Sequence, residues 1–322
     1  MSSLVSVCIT TFNRKELLPL TLKSILDQTY KNIEIIIVDD CSIDGTQFLI
    51  ENEILKLDPR IKYIRHAENN GLAFARNTGI FNAKGKYFTF CDDDDLLMPN
   101  YIEEFMNVAS IHDDSWCFCC SGKYKNFLGT YIETSFEYEG ELKSFIKKGF
   151  TPPVSSQFYN LLSLKKINGY NQNVKSGVDH DLWIRLAISG FKIKYIAKQL
   201  SLPNPNTNQR RMTTNYEERL SGIKNSLKIW ENDLIEMYGN KFFLEFSDAY
   251  LQRERLKFFN NYLQDFNLVM AFKIKKDISL FSCLRAILIL LTKKTLKYIV
   301  PKIFISKKKI LKIKPTLKIK NY

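Results

Sequence analysis

Tyr87-Phe88-Thr89-Phe90-Cys91-Asp92-Asp93-Asp94-Asp95 sets an apolar run directly against four consecutive aspartates, and Leu96-Leu97-Met98-Pro99 follows at once. The run reads as a buried strand that delivers a dense negative cluster to one edge of a sheet. Like charges so close repel wherever water is partly excluded, and a bound cation or a shifted pKa is the usual relief. Alternation along an extended chain would turn Asp92 and Asp94 one way and Asp93 and Asp95 the other. The Asp92/Asp94 face would then offer hard oxygen ligands to a divalent metal and leave positions for phosphate oxygens. A solvated acidic turn, with Asp95 as a helix cap, is the structural alternative.

The same grammar recurs upstream. Val5 to Thr10 reads as a first strand and Ile33 to Val38 as a second, continuous enough to be buried on both faces. Leu17, Leu18, Ile25 and Leu26 lie between them at helical spacing, Ile61 to Ile64 forms a third strand, and Gly71 to Ala83 reads as a helix before Tyr87. Strands alternating with helices at short intervals predict a parallel α/β sheet with helices on both faces. In such sheets ligands bind outside the carboxyl ends of the strands. Thr10-Thr11, Asp39-Asp40 and Asp92 to Asp95 all follow strand ends, so they are expected at one crevice.

A chain of 322 residues is long enough for more than one domain. Residues 1–100 read as an α/β half, 101–215 as a mixed strand and helix half, and 216–322 as a helical, basic extension. The net charge of +13 is not spread evenly. From Ala271 to Tyr322 there are 15 Lys and Arg against the single acid Asp277, so that segment is +14 and the remainder sums to −1. A neutral body with a cationic end predicts a surface-binding arm and argues against nucleic acid as the partner. Leu284, Ile287, Leu288 and Leu291 share a helical face flanked by Arg285, Lys293, Lys294 and Lys297, a pattern suited to an anionic membrane surface. The uncharged stretch between Arg285 and Lys293 is far below the ~20 residues of a spanning helix. The N-terminus lacks a basic segment before Val5, so no secretory signal is read and a cytoplasmic location, peripheral on the inner face of the plasma membrane, is expected. Seven cysteines scattered in apolar segments do not make a disulfide framework. Cys117 and Cys120 have the spacing of a zinc half-site with no second pair nearby, so a buried strand is the better reading.

Phosphate loops fail on inspection. Gly79, Gly85 and Lys86 imitate a P-loop with the glycines one residue too far apart and Tyr87 where Ser or Thr belongs, and no Gly-x-Gly-x-x-Gly follows the first strand. The chain instead resembles the inverting glycosyltransferases of family 2, with the GT-A fold. The resemblance rests on Val5-Ser6-Val7-Cys8-Ile9-Thr10-Thr11-Phe12-Asn13-Arg14, Ser24-Ile25-Leu26-Asp27-Gln28-Thr29-Tyr30 and Glu34-Ile35-Ile36-Ile37-Val38-Asp39-Asp40-Cys41-Ser42. It continues through Asn70-Gly71-Leu72-Ala73-Phe74-Ala75-Arg76-Asn77-Thr78-Gly79 and Phe90-Cys91-Asp92-Asp93-Asp94-Asp95, with Pro99 closing it. It is dense to about Tyr101, returns around Asp179, and is absent from the last hundred residues.

The resemblance implies a nucleotide-sugar donor, with UDP the expected carrier, and a saccharide or lipid-linked acceptor in cell-surface polysaccharide or glycolipid synthesis. Thr10 would meet the base, and the Asp39-Asp40 pair would read the uracil edge, Asp40 being the favoured member because a carboxylate accepts the imide N–H that cytosine lacks. Asp92 and Asp93 would lie at the donor, Asp92 near the ribose, and Asp94 with Asp92 would hold Mg²⁺ or Mn²⁺. Arg76 would balance charge near the diphosphate, or form a structural ion pair. In Gly177-Val178-Asp179-His180-Asp181-Leu182-Trp183, Asp179 aligns with the family's catalytic base, and Val178 stands where the family places Glu. Asp181 is the fallback base, His180 an extra ligand or pKa tuner, and Trp183 either a sugar-stacking or a core residue. Arg210 and Arg211, in Gln209-Arg210-Arg211-Met212-Thr213-Thr214, are candidates for leaving-group stabilisation. A nucleotidyltransferase would require a glycine-bearing loop that Thr10 to Lys15 lacks, and a non-catalytic sugar-nucleotide binder is the remaining alternative.

Overall fold

The computed structural model describes residues 2–125, 131–133, 138–146, 152–203 and 216–264. Arg210, Arg211 and the cationic segment from Ala271 onward lie outside them, as does the proposed membrane helix. The elements run β1 (Val5–Thr11), α1 (Leu18–Leu26), β2 (Ile33–Asp39), α2 (Thr46–Asn52), β3 (Ile61–Arg65), α3 (Leu72–Asn82), β4 (Tyr87–Phe90), β5 (Asp95–Leu97) and α4 (Tyr101–Ala109). They continue with β6 (Trp116–Lys125), β7 (Tyr131–Glu133), β8 (Tyr138–Glu141), α5 (Leu142–Ile146), β9 (Gln157–Asn160), α6 (Leu161–Lys166), α7 (Val178–Ile188), β10 (Lys192–Pro203), α8 (Tyr216–Tyr238) and α9 (Asn240–Gln264).

Ten strands form one sheet in the order β3-β2-β1-β4-β9-β6-β10-β5, with β7 and β8 paired to β6 and β10. The first four run parallel, with Thr11 opposite Asp39 and Cys8 opposite Phe90. β9 then enters antiparallel, while β6 and β10 run parallel to each other. The strand order reverses at β1 and β4, and that switch point is where open α/β sheets leave a crevice. The α/β reading with helices on both faces therefore holds.

Side-chain alternation explains the two cores. Val5, Val7 and Ile9 bury against Leu18, Leu22 and Ile25 of α1, whereas Cys8 joins Ile36, Val38, Ile80, Leu182 and Trp183 on the other face. α3 sits close to the sheet because Gly79 has no side chain: a Cβ there would lie 2.3 Å from Cys8 Sγ. Cys117, Cys119 and Cys120 are buried in β6, where burial raises their thiol pKa values.

The chain divides into two compact units, Met1–Glu254 and Arg255–Tyr322, and the site lies wholly in the first. Among the described residues no helix is long and apolar enough to cross a membrane.

Candidate active site

The strand expected to carry the aspartates stops at Phe90, which corrects the alternation read from sequence. The backbone N–H of Asp95 donates to Asp92 O at 3.0 Å, so the acidic run folds into a tight turn before β5 begins. Asp92, Asp94 and Asp95 now bring carboxylate oxygens within 4.8 Å of one another, and Asp95 joins the expected pair. Asp93 turns inward and accepts from Thr11 Oγ1 at 2.7 Å. Burial pushes its pKa up to about 7, against the pull of Thr11 and Arg14. Thr21 Oγ1 pins the turn from α1 by donating to the carbonyls of Asp93 and Asp95. Arg14 follows β1 and places Nη1 3.8 Å from Asp94 Oδ2.

The paired acids after β2 divide their work. Asp39 is fully buried and accepts from Ser42 N at 2.8 Å and Tyr63 Oη at 2.8 Å, with Arg65 Nε at 3.6 Å, so its carboxylate is spent on the loop and β3. Asp40 faces the loop before α3, accepting from Asn70 N at 3.0 Å and Gly71 N at 2.8 Å, and its Oδ1 lies 2.8 Å from His66 Nδ1. Thr10 is buried at the end of β1, and the next aromatic, Phe12, is exposed at the rim. An exposed aromatic just past a strand end is a signal the sequence carries, and such a face suits stacking on a base.

Arg76 binds the halves of the site together. Its guanidinium donates from Nη2 to Asp92 Oδ1 at 3.0 Å and from Nη1 to Asp179 Oδ1 at 2.6 Å. The side chain is only 2% exposed and lies between the rings of Phe90 and Tyr170, 5.5 and 5.2 Å from their centroids. Burial works against this charge, yet Asp179, Tyr170 and Asp92 hold it firmly protonated. Asn77, next in α3, clamps Tyr170 by its backbone: Asn77 Nδ2 donates to Tyr170 O at 2.8 Å and Tyr170 N donates to Asn77 Oδ1 at 2.7 Å. Nothing local in the sequence announces Tyr170, which arrives through this long-range clamp.

Asp179 occupies the first turn of α7, after Gly177 at φ 78°. Its side chain is 33% exposed, and burial raises its pKa, with Arg76 opposing and Asp92 assisting. Both Arg76 and Tyr170 address Oδ1, the latter at 3.4 Å, so Oδ2 has no donor among the described residues. Asp181 is different: it is buried and accepts from Arg185 Nε at 2.7 Å and Trp230 Nε1 at 3.0 Å, which makes it a structural carboxylate. Trp183 is core, donating to Tyr159 Oη at 3.0 Å. The structure thus gathers Asp92, Asp94, Arg76 and Asp179 at one place and sets Asp39 and Asp181 apart from it.

A family model described as glycosyl transferase family 2 matches residues 6–167. An uncharacterized glycosyltransferase of Rickettsia conorii is 38% identical over 201 residues, 61% of this chain and 32% of its own length, so the chain spans about a third of that relative. Another from Rickettsia typhi is 28% identical over 294 residues, 87% of this chain and 88% of its own. Among solved structures, that of S. aureus TarS residues 1–349 in complex with UDP-GlcNAc superposes with a TM-score of 0.60 at 18% identity, covering 85% of this chain and 83% of that one.

Proposed function

Because the chain belongs to glycosyl transferase family 2, we propose that it moves a sugar from a UDP-sugar to a hydroxyl of a saccharide or lipid-linked acceptor, with inversion at the anomeric carbon. The observation that supports this reading is the shared guanidinium, which ties Asp179 and the acidic turn into one site. A solved structural neighbour holds UDP-GlcNAc, which supports UDP as the carrier.

The acidic turn fits a divalent ion. Its carboxylate oxygens lie within 4.8 Å of one another, and Asp92 commits Oδ1 to Arg76 while Oδ2 remains available. Asp94 and Asp92, with Asp95, would hold Mg²⁺ or Mn²⁺. When bound, the ion neutralises charge on the departing diphosphate as a Lewis acid. Asp40 and Thr10 would meet the uracil, Asp39 fixes the loop after β2 through Ser42, and Asp93 braces the turn through Thr11. Arg210 and Arg211 would stabilise the departing diphosphate.

Asp179 performs the proton transfer. Oδ2 takes the proton of the acceptor hydroxyl, whose oxygen attacks opposite the diphosphate, and the electron pair of the broken bond leaves with UDP. A carboxylate raised by burial is a better base than one in water. Arg76 keeps it ionised and aimed. On this reading residues 1–100 serve the donor and 101–215 the acceptor. The cationic segment from Ala271 draws the enzyme to the inner face of a membrane, where lipid-linked precursors of surface polymers are extended.

UDP release from a panel of UDP-sugars with Mn²⁺ tests the reading. Release by the parent chain and by the surface variant Lys23→Gln, with loss in Asp94→Ala, supports it. Equal release by Asp94→Ala contradicts the metal assignment. A chain truncated before Ala271 should bind anionic vesicles more weakly than the full chain, and equal binding would remove the membrane role.

A further inference from the structure

The base has neighbours that the donor site does not use. A Cβ at Gly177 would sit 2.9 Å from Tyr250 Oη and 3.1 Å from Trp230 Cη2, so α8 and α9 press directly on the start of α7. Trp230 Nε1 bonds Asp181, and Ser226 Oγ donates to Ser176 O at 2.6 Å. Tyr238 at the end of α8 and Phe242, Phe246 and Tyr250 along α9 form a ring ladder at four-residue spacing, with centroids 4.5, 5.8 and 5.8 Å apart, the first pair tilted and the other two stacked. This ladder stiffens the helix and ends at His180, whose ring lies 5.1 Å from Tyr250 and 6.4 Å from Trp230.

His180 directly follows Asp179, is half-buried, and has no hydrogen-bond partner among the described residues. Burial, aided by Arg253 and Arg219, pushes its pKa down to about 3, so the imidazole is neutral near pH 7 and offers one donor and one acceptor. Arg219 is paired with Glu254 at 3.2 Å, whereas Arg253 is exposed, its guanidinium 4.9 Å from the Tyr250 ring centre. The ring nitrogens are not sealed from solvent, so a hydrogen-bonding pair stands open beside the base. A polyhydroxylated ring would complete it; an apolar aglycone would not.

Resting on the glycosyltransferase reading above, we propose that His180 and Arg253, carried by the α7 start and the α8–α9 hairpin, form the subsite for the acceptor sugar. They hydrogen-bond hydroxyls of a saccharide so that a neighbouring hydroxyl meets Asp179. Tyr250 and Trp230 are positioning residues that fix the imidazole without touching the sugar. The hairpin lies beyond residues 6–167 of the family match.

The test uses the full chain with Mn²⁺ and UDP, and methyl hexosides as probes in ligand-observed saturation-transfer NMR. UDP affinity is measured in parallel by calorimetry. His180→Phe and Arg253→Gln should each lower the hexoside response by about fivefold or more, the loss of one or two hydrogen bonds, while UDP affinity stays at the parent value. Arg253 is on the surface, so its variant remains informative if His180→Phe does not fold. A parent chain that gives no hexoside response, variants that keep it, or UDP affinity falling in step with it would each overturn the proposal. A parent that binds hexosides but not UDP would instead overturn the donor reading and leave the subsite standing.

Discussion

Asp92 and Asp179, one in the turn after β4 and the other at the start of α7, share the guanidinium of Arg76, at 3.0 and 2.6 Å. Removing the cation leaves two carboxylates, each about one-third exposed, without their shared partner. Arg76→Leu is expected to cost about 1–3 kcal/mol, below the range for a fully buried pair broken from one side, because each acid keeps part of its water. Arg76→Lys keeps the charge but has no planar fork to reach both acids. It should retain most of the stability and still lose UDP release by at least about tenfold. Thermal unfolding set beside UDP release checks this, and a lysine variant with parent activity would show that charge alone suffices.

The two acids of α7 should separate cleanly. Asp179→Asn removes the proton acceptor while keeping the shape, so transfer falls by about 10²–10⁴, the usual contribution of a positioned base, while Arg76 loses one of its two carboxylate partners and some stability goes with it. Asp181→Asn disturbs the bonds to Arg185 and Trp230 and should cost about 1–3 kcal/mol. Steady-state rates and denaturant midpoints for both variants decide the assignment; the opposite pattern would make Asp181 the base.

Gly79→Ala tests the packing of α3 on β1. The new methyl would lie 2.3 Å from Cys8 Sγ in a close-packed interior, and overpacking of that kind costs about 1–3 kcal/mol, more than the gain in helix propensity. A variant as stable as the parent would show that α3 can shift outward without loss.

His180 sets a pH dependence. Its folded pKa, about 3, lies below the ordinary value of 6.5, so the unfolded chain binds the extra proton between those two values. Its contribution to stability is complete above about pH 6.5 and is lost as pH falls towards 3. His180→Gln should therefore flatten the fall in stability across that window. An unchanged slope would show that the ring titrates normally.

Most of the donor half was legible because each strand end is followed at once by its polar residues, and the sheet order carries those ends to one edge. The acidic turn was legible in composition but not in direction: an extended chain would have sent Asp95 away from Asp92, whereas the turn closed by Asp95 N brings it alongside. Asp179 and Asp181 could not be told apart by residue type. Two positions apart on a helix they face nearly opposite ways, one to Arg76 and the other to Trp230, and only the packing partners reveal it. Tyr170 and the α8–α9 hairpin were illegible for the same reason, since their contacts to Asn77 and Gly177 join segments distant in the chain.

The central claim is that the acidic turn and Asp179 serve one sugar-nucleotide site in different capacities. Titrating UDP into the parent chain, Asp94→Ala and Asp179→Asn, each with and without Mn²⁺, tests it most directly. The account predicts Mn²⁺-dependent binding in the parent and in Asp179→Asn, and its loss in Asp94→Ala. Binding that ignores Mn²⁺, or that survives unchanged in Asp94→Ala, would contradict it.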